Sequence, residues 1–169
     1  DLERVLRRMA SSILEQTRGS SSLGIVGIRR GGIGLSRRIA SAIAELEGAA
    51  VPVGTVDIAL YRDDAATALP DPKIGPSDVP FDVGGADLIL VDDVLQTGRT
   101  IRAALDCLLD YGRPRRVWLA VLCDRGGREL PIAADFVGRR VEVPEGGRLV
   151  VSIGGEGADR ASILPRSAG

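Results

Sequence analysis

The 169 residues are 44 % apolar and 27 % charged, which fits a single soluble globular domain with its own core and excludes a disordered chain. No apolar run approaches the ~20 residues of a membrane span, and a net charge of −1 gives no global attraction to nucleic acid, so such binding would need a local patch. Histidine is absent, which excludes Ser-His-Asp triads, Cys-His dyads and most zinc sites, and leaves carboxylates, arginines, hydroxyls, backbone amides or a bound ion to do any chemistry.

Leu2, Val5, Leu6, Met9, Ile13 and Leu14 recur at helical spacing and predict an N-terminal helix ending near Gly19. The same stretch is charged and lacks a signal-peptide core, so a cytoplasmic protein is expected. SLGIVGI (22–28) reads as a buried strand, and RRGG leads into a helix over 32–47 that Gly48 closes. VPVGTVDIALYR (51–62) reads as the next strand, alternating in part and rich in β-branched residues. Residues 63–86 are crowded with Asp, Pro and Gly and read as a long loop of the kind that is usually functional or disordered. LILV (88–91), a helix from about Thr100 to Tyr111 stopped by Gly112, and RVWLAVLC (116–123) follow. Shorter strands are expected around DFVG, RLVVSI and ASIL. Cys107 and Cys123 fall in a predicted helix and strand and read as buried apolar residues. Strand and helix alternate from residue 22 to 123, which predicts an α/β domain with a mainly parallel sheet flanked by helices.

The chemistry concentrates in LILVDDVLQTGRT (88–100). Ligands of open α/β sheets sit beyond the carboxyl ends of the strands. LILV ends at Val91, so Asp92 and Asp93 are expected to project at that mouth. TGRT then begins a helix, where unpaired N–H groups and a partial positive charge suit a phosphate. Gly98 permits close backbone approach, Thr97 and Thr100 offer hydroxyls, and Arg99 adds charge. One end of the segment prefers an anion and the other prefers hydroxyls or a cation, so a ribose 5-phosphate fits both. The competing reading is an acidic cap on an ordinary helix, but a buried strand running into two adjacent acids is an awkward way to cap a helix several residues later.

LILVDDVLQTGRT resembles the phosphoribosyl pyrophosphate signature of type I phosphoribosyltransferases. VGIRRGGIGLSRRIA, VDIALYRDD, VDDVLQTGRTIRAALDCL and DRGGRELPIAADFVG are similar, in order and spacing, to segments of the PyrR family. Members of that family are pyrimidine operon attenuators that also act as uracil phosphoribosyltransferases. The resemblance implies a single type I phosphoribosyltransferase domain with a mobile flap over about 62–86 and a small hood from about 124–140 and the N-terminal helix region. It implies conversion of uracil and phosphoribosyl pyrophosphate to UMP and pyrophosphate, with Mg²⁺ carried on the diphosphate. Asp92, Asp93, Val94, Leu95, Gln96, Thr97, Gly98, Arg99 and Thr100 would hold the ribose 5-phosphate. Arg29, Arg30, Gly31 and Gly32 would form the pyrophosphate loop, and Asp124, Arg125 and Arg128 the hood over the base. Asp92, Asp93 and Arg62, at the start of the flap, are the catalytic candidates. Arg139, Arg140 and Arg148 are candidates for contact with a leader RNA, and a homodimer or homotetramer is expected.

The chain departs from the family pattern at four positions. Gly31 stands where the loop usually has arginine, Gln96 where the ribose loop has an aromatic residue, Gly127 where the hood has histidine, and Ala133 where it has arginine. Loss of the loop cation is expected to limit turnover, so Gly31→Arg should raise it unless Gly31 has a positive φ. Two further readings therefore stand beside the enzyme: a nucleotide-sensing RNA-binding regulator with weak catalysis, and a transferase for another base.

Overall fold

A computed structural model of the chain describes residues 1–61, 77–154 and 158–165. Helix α1 spans Leu2–Thr17; the Asp1 carboxylate caps it by accepting the Glu3 N–H, and Arg18 ends it in the left-handed conformation. Strand β1 (Leu23–Ile28) leads into α2 (Gly31–Glu47), which Gly48 closes at φ 73°. Then come β2 (Val53–Val56), β3 (Asp87–Leu95), α3 (Arg99–Leu109), β4 (Arg116–Asp124) and β5 (Phe136–Arg140). Strands β6 (Arg148–Ser152) and β7 (Arg160–Leu164) form a separate antiparallel hairpin.

The main sheet has five parallel strands in the order β2-β1-β3-β4-β5. The order reverses at β1 and β3, so the loops after these two strands diverge and leave a crevice between them. Alternate residues of a strand face opposite sides, and β3 shows this directly. Ile89 and Val91 pack with Leu6, Met9 and Ile13 of α1 and Leu35 and Ile39 of α2. Leu88 and Leu90 pack with Ile101, Ala104 and Leu108 of α3. Both faces are covered, which is why LILV is an unbroken apolar run. Each of these fully buried aliphatic side chains contributes ~1.5–3 kcal/mol relative to exposure. No helix among the described residues is long and apolar enough to cross a membrane.

Two predicted boundaries move by several residues, each for a visible reason. β2 stops at Val56 rather than running to 62, because Asp57 starts a turn. Its carboxylate accepts the Ala59 N–H at 3.0 Å, its own N–H goes to the Ser77 hydroxyl at 2.7 Å, and the Tyr61 N–H reaches the Ile58 carbonyl at 2.9 Å. β3 runs past Val91 to Leu95, because pairing with β4 continues to Leu95 opposite Asp124. Asp92 and Asp93 are therefore strand residues and do not lie beyond the strand end. α3 begins one residue earlier than expected, at Arg99, and ends at Leu109. Cys107 and Cys123 are buried and free, as expected. Within the expected flap, residues 62–76, including Arg62, lie outside the described residues. The returning stretch is described: Asp78 exchanges two main-chain hydrogen bonds with Thr55 of β2, at 2.7 and 2.8 Å.

Candidate active site

The loop from β1 to α2 is pulled tightly against the sheet. A Cβ on Gly32 would stand 2.2 Å from the Val91 carbonyl oxygen, so only glycine lets the first turn of α2 rest on β3. The Arg29–Arg30 peptide is cis. The main-chain N–H groups of Gly31 and Gly32 have no partner among the described residues, and neither do the Arg29 and Arg30 side chains. Arg29, Arg30 and Gly31 line a cavity of about 370 Å³ together with Asp92, Asp93, Val94 and Thr100. The crevice thus brings the predicted loop arginines, the acid pair and a threonine of the TGRT turn into one site. Asp57, Ile58 and Ala59 also line it. The sequence reading missed these three, because it ran β2 through them; their place at a carboxyl end of the sheet was the available signal.

Asp92 is buried, and its carboxylate accepts the Asp93 N–H at 2.9 Å. Burial first, and then the neighbouring Asp93 charge, push its carboxyl well above the usual carboxylate range. Asp93 accepts the Val94 N–H at 2.7 Å and leans over the loop. A Cβ on Gly31 would lie 2.3–2.7 Å from its carboxylate atoms. Gly31 is not among the positive-φ glycines. A side chain at this position would have to turn the Asp93 carboxylate aside, a shift at the far end of a side chain that leaves the backbone in place.

The turn from β3 to α3 presents its N–H groups outward. Gly98 caps α3 at φ 93°, in the left-handed region that favours glycine. The carbonyls of this turn are taken from behind by the segment after β4. Leu95 accepts the Arg125 N–H at 3.1 Å, Gln96 accepts Arg128 Nη1 at 2.9 Å, and Thr97 accepts the Glu129 and Leu130 N–H groups at 2.9 and 3.1 Å. The N–H groups of Thr97, Gly98 and Thr100 are left without a partner among the described residues. The Thr97 hydroxyl accepts the Arg99 N–H at 3.2 Å, and Arg99 Nε pairs with Glu129 at 2.9 Å. A cavity of about 560 Å³ opens here, with Gln96, Thr97, Gly98, Arg125 and Arg148 on its walls. An N–H-lined helix start with arginines around it suits a phosphate.

The predicted hood residues are mostly bound to one another. Arg128 gives Nη2 to Asp124 at 2.7 Å and Nε to the Ile132 carbonyl at 2.8 Å, besides Gln96. Burial alone would raise the Asp124 carboxyl. The Arg128 hydrogen bond, the Gly126 N–H and the charges of Arg128 and Arg140 outweigh it and hold the group below its ordinary value. The three arginines proposed for RNA do not form one patch. Arg140 pairs with Asp124 at 3.2 Å, Arg139 lines a cavity beside Leu2 and Val5 of α1, and Arg148 faces the phosphate-type turn.

A parallel sheet with a ribose-type acid pair beside an anion-binding turn belongs to a known class. The family model described as the phosphoribosyl transferase domain matches residues 1–146, so the domain is a phosphoribosyltransferase domain. A hypoxanthine phosphoribosyltransferase of Trypanosoma cruzi shares the fold, with TM-score 0.64 at 17 % identity over 83 % of this chain and 77 % of that one. Whole-length relatives narrow the class. The bifunctional protein PyrR of Roseiflexus sp. is 52 % identical over 153 residues, 90 % of this chain and 84 % of that protein. The bifunctional protein PyrR of Thermus thermophilus is 50 % identical over 167 residues, 98 % of this chain and 92 % of that protein. The chain belongs to the PyrR family, as the resemblance of its motifs implied.

Proposed function

We propose that this chain is a cytoplasmic uracil phosphoribosyltransferase that also binds a pyrimidine-leader RNA, acting as a homodimer or homotetramer. The observation that carries the reading is the row of N–H groups at Thr97, Gly98 and Thr100, without a partner among the described residues, with Thr100 also lining the cavity that holds the acids of β3. In this reading those N–H groups and the threonine hydroxyls hold the 5-phosphate. Asp92 and Asp93 accept the ribose hydroxyls and favour the positive charge that grows on the sugar as pyrophosphate leaves. Arg29, Arg30 and the N–H groups of Gly31 and Gly32 receive the departing oxygens, a preorganised donor set of the kind that lowers such barriers most. The acid side chains of this cavity, Asp57, Asp92 and Asp93, offer only oxygen and suit Mg²⁺, which typically keeps its waters and few protein ligands. Bound Mg²⁺ would neutralise diphosphate charge, with Asp92 and Asp93 as the carboxylates at hand.

Calorimetric titration tests the phosphate assignment. UMP should bind at least about a hundredfold more tightly than uridine, because charge-assisted hydrogen bonds to phosphate contribute ~1.5–3 kcal/mol each. Equal affinities would remove the phosphate from the turn.

The regulator reading rests on Gly31, since a nucleotide sensor needs the phosphate turn and the acids but no loop cation. Both activities are compatible with one chain. For RNA, affinity should fall steeply with salt, as each neutralised phosphate releases counterions. Arg139→Gln should flatten the plot of log affinity against log salt by about 0.7–0.9 for each phosphate it no longer neutralises. Arg140→Gln should flatten it less, since Arg140 already pairs with Asp124. Filter binding with a structured pyrimidine-leader RNA checks this; no binding even at low salt would remove the RNA role.

A further inference from the structure

The cavity beside the turn from β3 to α3 is walled by segments far apart in the chain. One wall is the turn itself with the start of α3, and another carries Arg148 and Leu149 of β6. Strand β6 is held there at two points. Leu149 is buried in the core that α1 and α2 share with the sheet. Arg125 gives its main-chain N–H to the Leu95 carbonyl at 3.1 Å and Nη2 to the Gly147 carbonyl at 3.3 Å, so it ties the end of β3 to the residue before Arg148. Gly147 sits in a tight turn with its N–H on the Pro144 carbonyl at 2.8 Å, and a Cβ there would stand 2.9 Å from that oxygen.

The three arginines of this cavity are not equivalent. Arg99 pairs with Glu129, another wall residue, at 2.9 Å, which offsets its charge. Arg125 keeps its charge but holds Gly147 with one arm. The Arg148 side chain is exposed and has no hydrogen bond or ion pair among the described residues. A phosphate monoester near neutral pH carries a charge of about −1.5 to −2. The start of a helix supplies only about half a positive charge. With Arg99 offset, the turn and Arg125 fall short of a dianion, and Arg148 makes up the balance.

We propose that Arg148, carried by the β6–β7 hairpin, is a ligand of the 5-phosphate and faces it across the cavity from the Thr97–Thr100 turn. The inference rests on the reading that this turn holds the phosphate. It makes the hairpin a wall of the nucleotide site and moves Arg148 out of the RNA candidates.

The test is calorimetric titration of UMP and of uridine into the parent, Arg148→Gln and Arg148→Lys, at low and at high salt. Arg148→Gln should lose about 10–100-fold in UMP affinity, the range for one charge-assisted hydrogen bond to phosphate, and should bind uridine as the parent does. Its UMP affinity should also depend less on salt. Arg148→Lys should keep part of the preference for UMP, since it restores the charge without the planar fork. All three should melt together, because the side chain is exposed. Equal losses for UMP and uridine in Arg148→Gln overturn the proposal, since the phosphate would not be what Arg148 reads. Parental UMP affinity in Arg148→Gln also overturns it and leaves the turn assignment intact; a matching loss of leader-RNA affinity in filter binding would then return Arg148 to the RNA. A parent that binds UMP and uridine equally overturns the turn assignment and the proposal together.

Discussion

Asp92→Asn should make the protein more stable at pH 8 while impairing it as a nucleotide binder. Burial and the adjacent Asp93 charge raise the Asp92 pKa in the folded chain. In the unfolded chain the group titrates near the ordinary ~3.9. Between the two values the folded state binds more protons than the unfolded one, so stability falls as pH rises through that window. Below the ordinary value both states are protonated and the penalty vanishes. Asparagine keeps the oxygen that accepts the Asp93 N–H and cannot ionise. The variant's melting temperature should therefore exceed the parent's at pH 8, and the gap should close towards pH 4. Asp124 has the opposite sign, since its lowered pKa stabilises at neutral pH and that contribution is lost on acidification. It is common to both proteins and cancels in the difference. Loss of a charged acceptor for a ribose hydroxyl costs ~1.5–3 kcal/mol, so UMP affinity should fall about 10–100-fold. A variant that melts below the parent at every pH, or binds UMP equally well, would contradict this role for Asp92.

Gly32→Ala should have the largest effect on folding of any single methyl added near the site. The added carbon would stand 2.2 Å from a main-chain oxygen, Val91 O, which cannot rotate aside. The first turn of α2 must then lift from β3, opening the packing of Leu35 and Ile39 on Ile89 and Val91. Overpacking of this kind costs ~1–3 kcal/mol and sometimes more, and a backbone clash belongs at the upper end. At about 2–4 °C per kcal/mol for a chain of this size, a fall of roughly 6–12 °C is expected. Gly34→Ala is the internal control. Its Cβ meets nothing nearer than 3.4 Å, and alanine is the better helix former by ~1 kcal/mol. Thermal melts followed by circular dichroism compare the two, and a Gly32→Ala melt within about 2 °C of the parent would remove the clash as the reason for glycine.

The alternating order of strands and helices was legible because each buried strand is a short apolar run and each helix has a clear stop, such as Gly48 and Gly19. That the acid pair and the TGRT turn lie near one another was legible as well, and the structure brings Asp92, Asp93 and Thr100 to one cavity. What misled was continuity. VPVGTVDIALYR keeps its β-branched character past Val56, but the Asp57 side chain closes a turn that propensity does not register. LILV loses its apolar character at Asp92, yet the ladder to β4 continues to Leu95, because the main chain pairs whatever the side chain. Arg139 and Arg140 read as a pair in sequence and go to different places, since consecutive strand residues face opposite sides. The contact between Gly31 and Asp93 joins two segments far apart in the chain, and no local pattern encodes it.

Whether this chain makes UMP is decided by one assay: formation of labelled UMP from labelled uracil and phosphoribosyl pyrophosphate with Mg²⁺, with other bases as competitors. Uracil should be converted in preference to the other bases, with release of one pyrophosphate per UMP, and Asp93→Asn should slow it. Conversion of a different base with no product from uracil, or no product from any base by a chain that still binds UMP, would contradict the assignment as a uracil phosphoribosyltransferase.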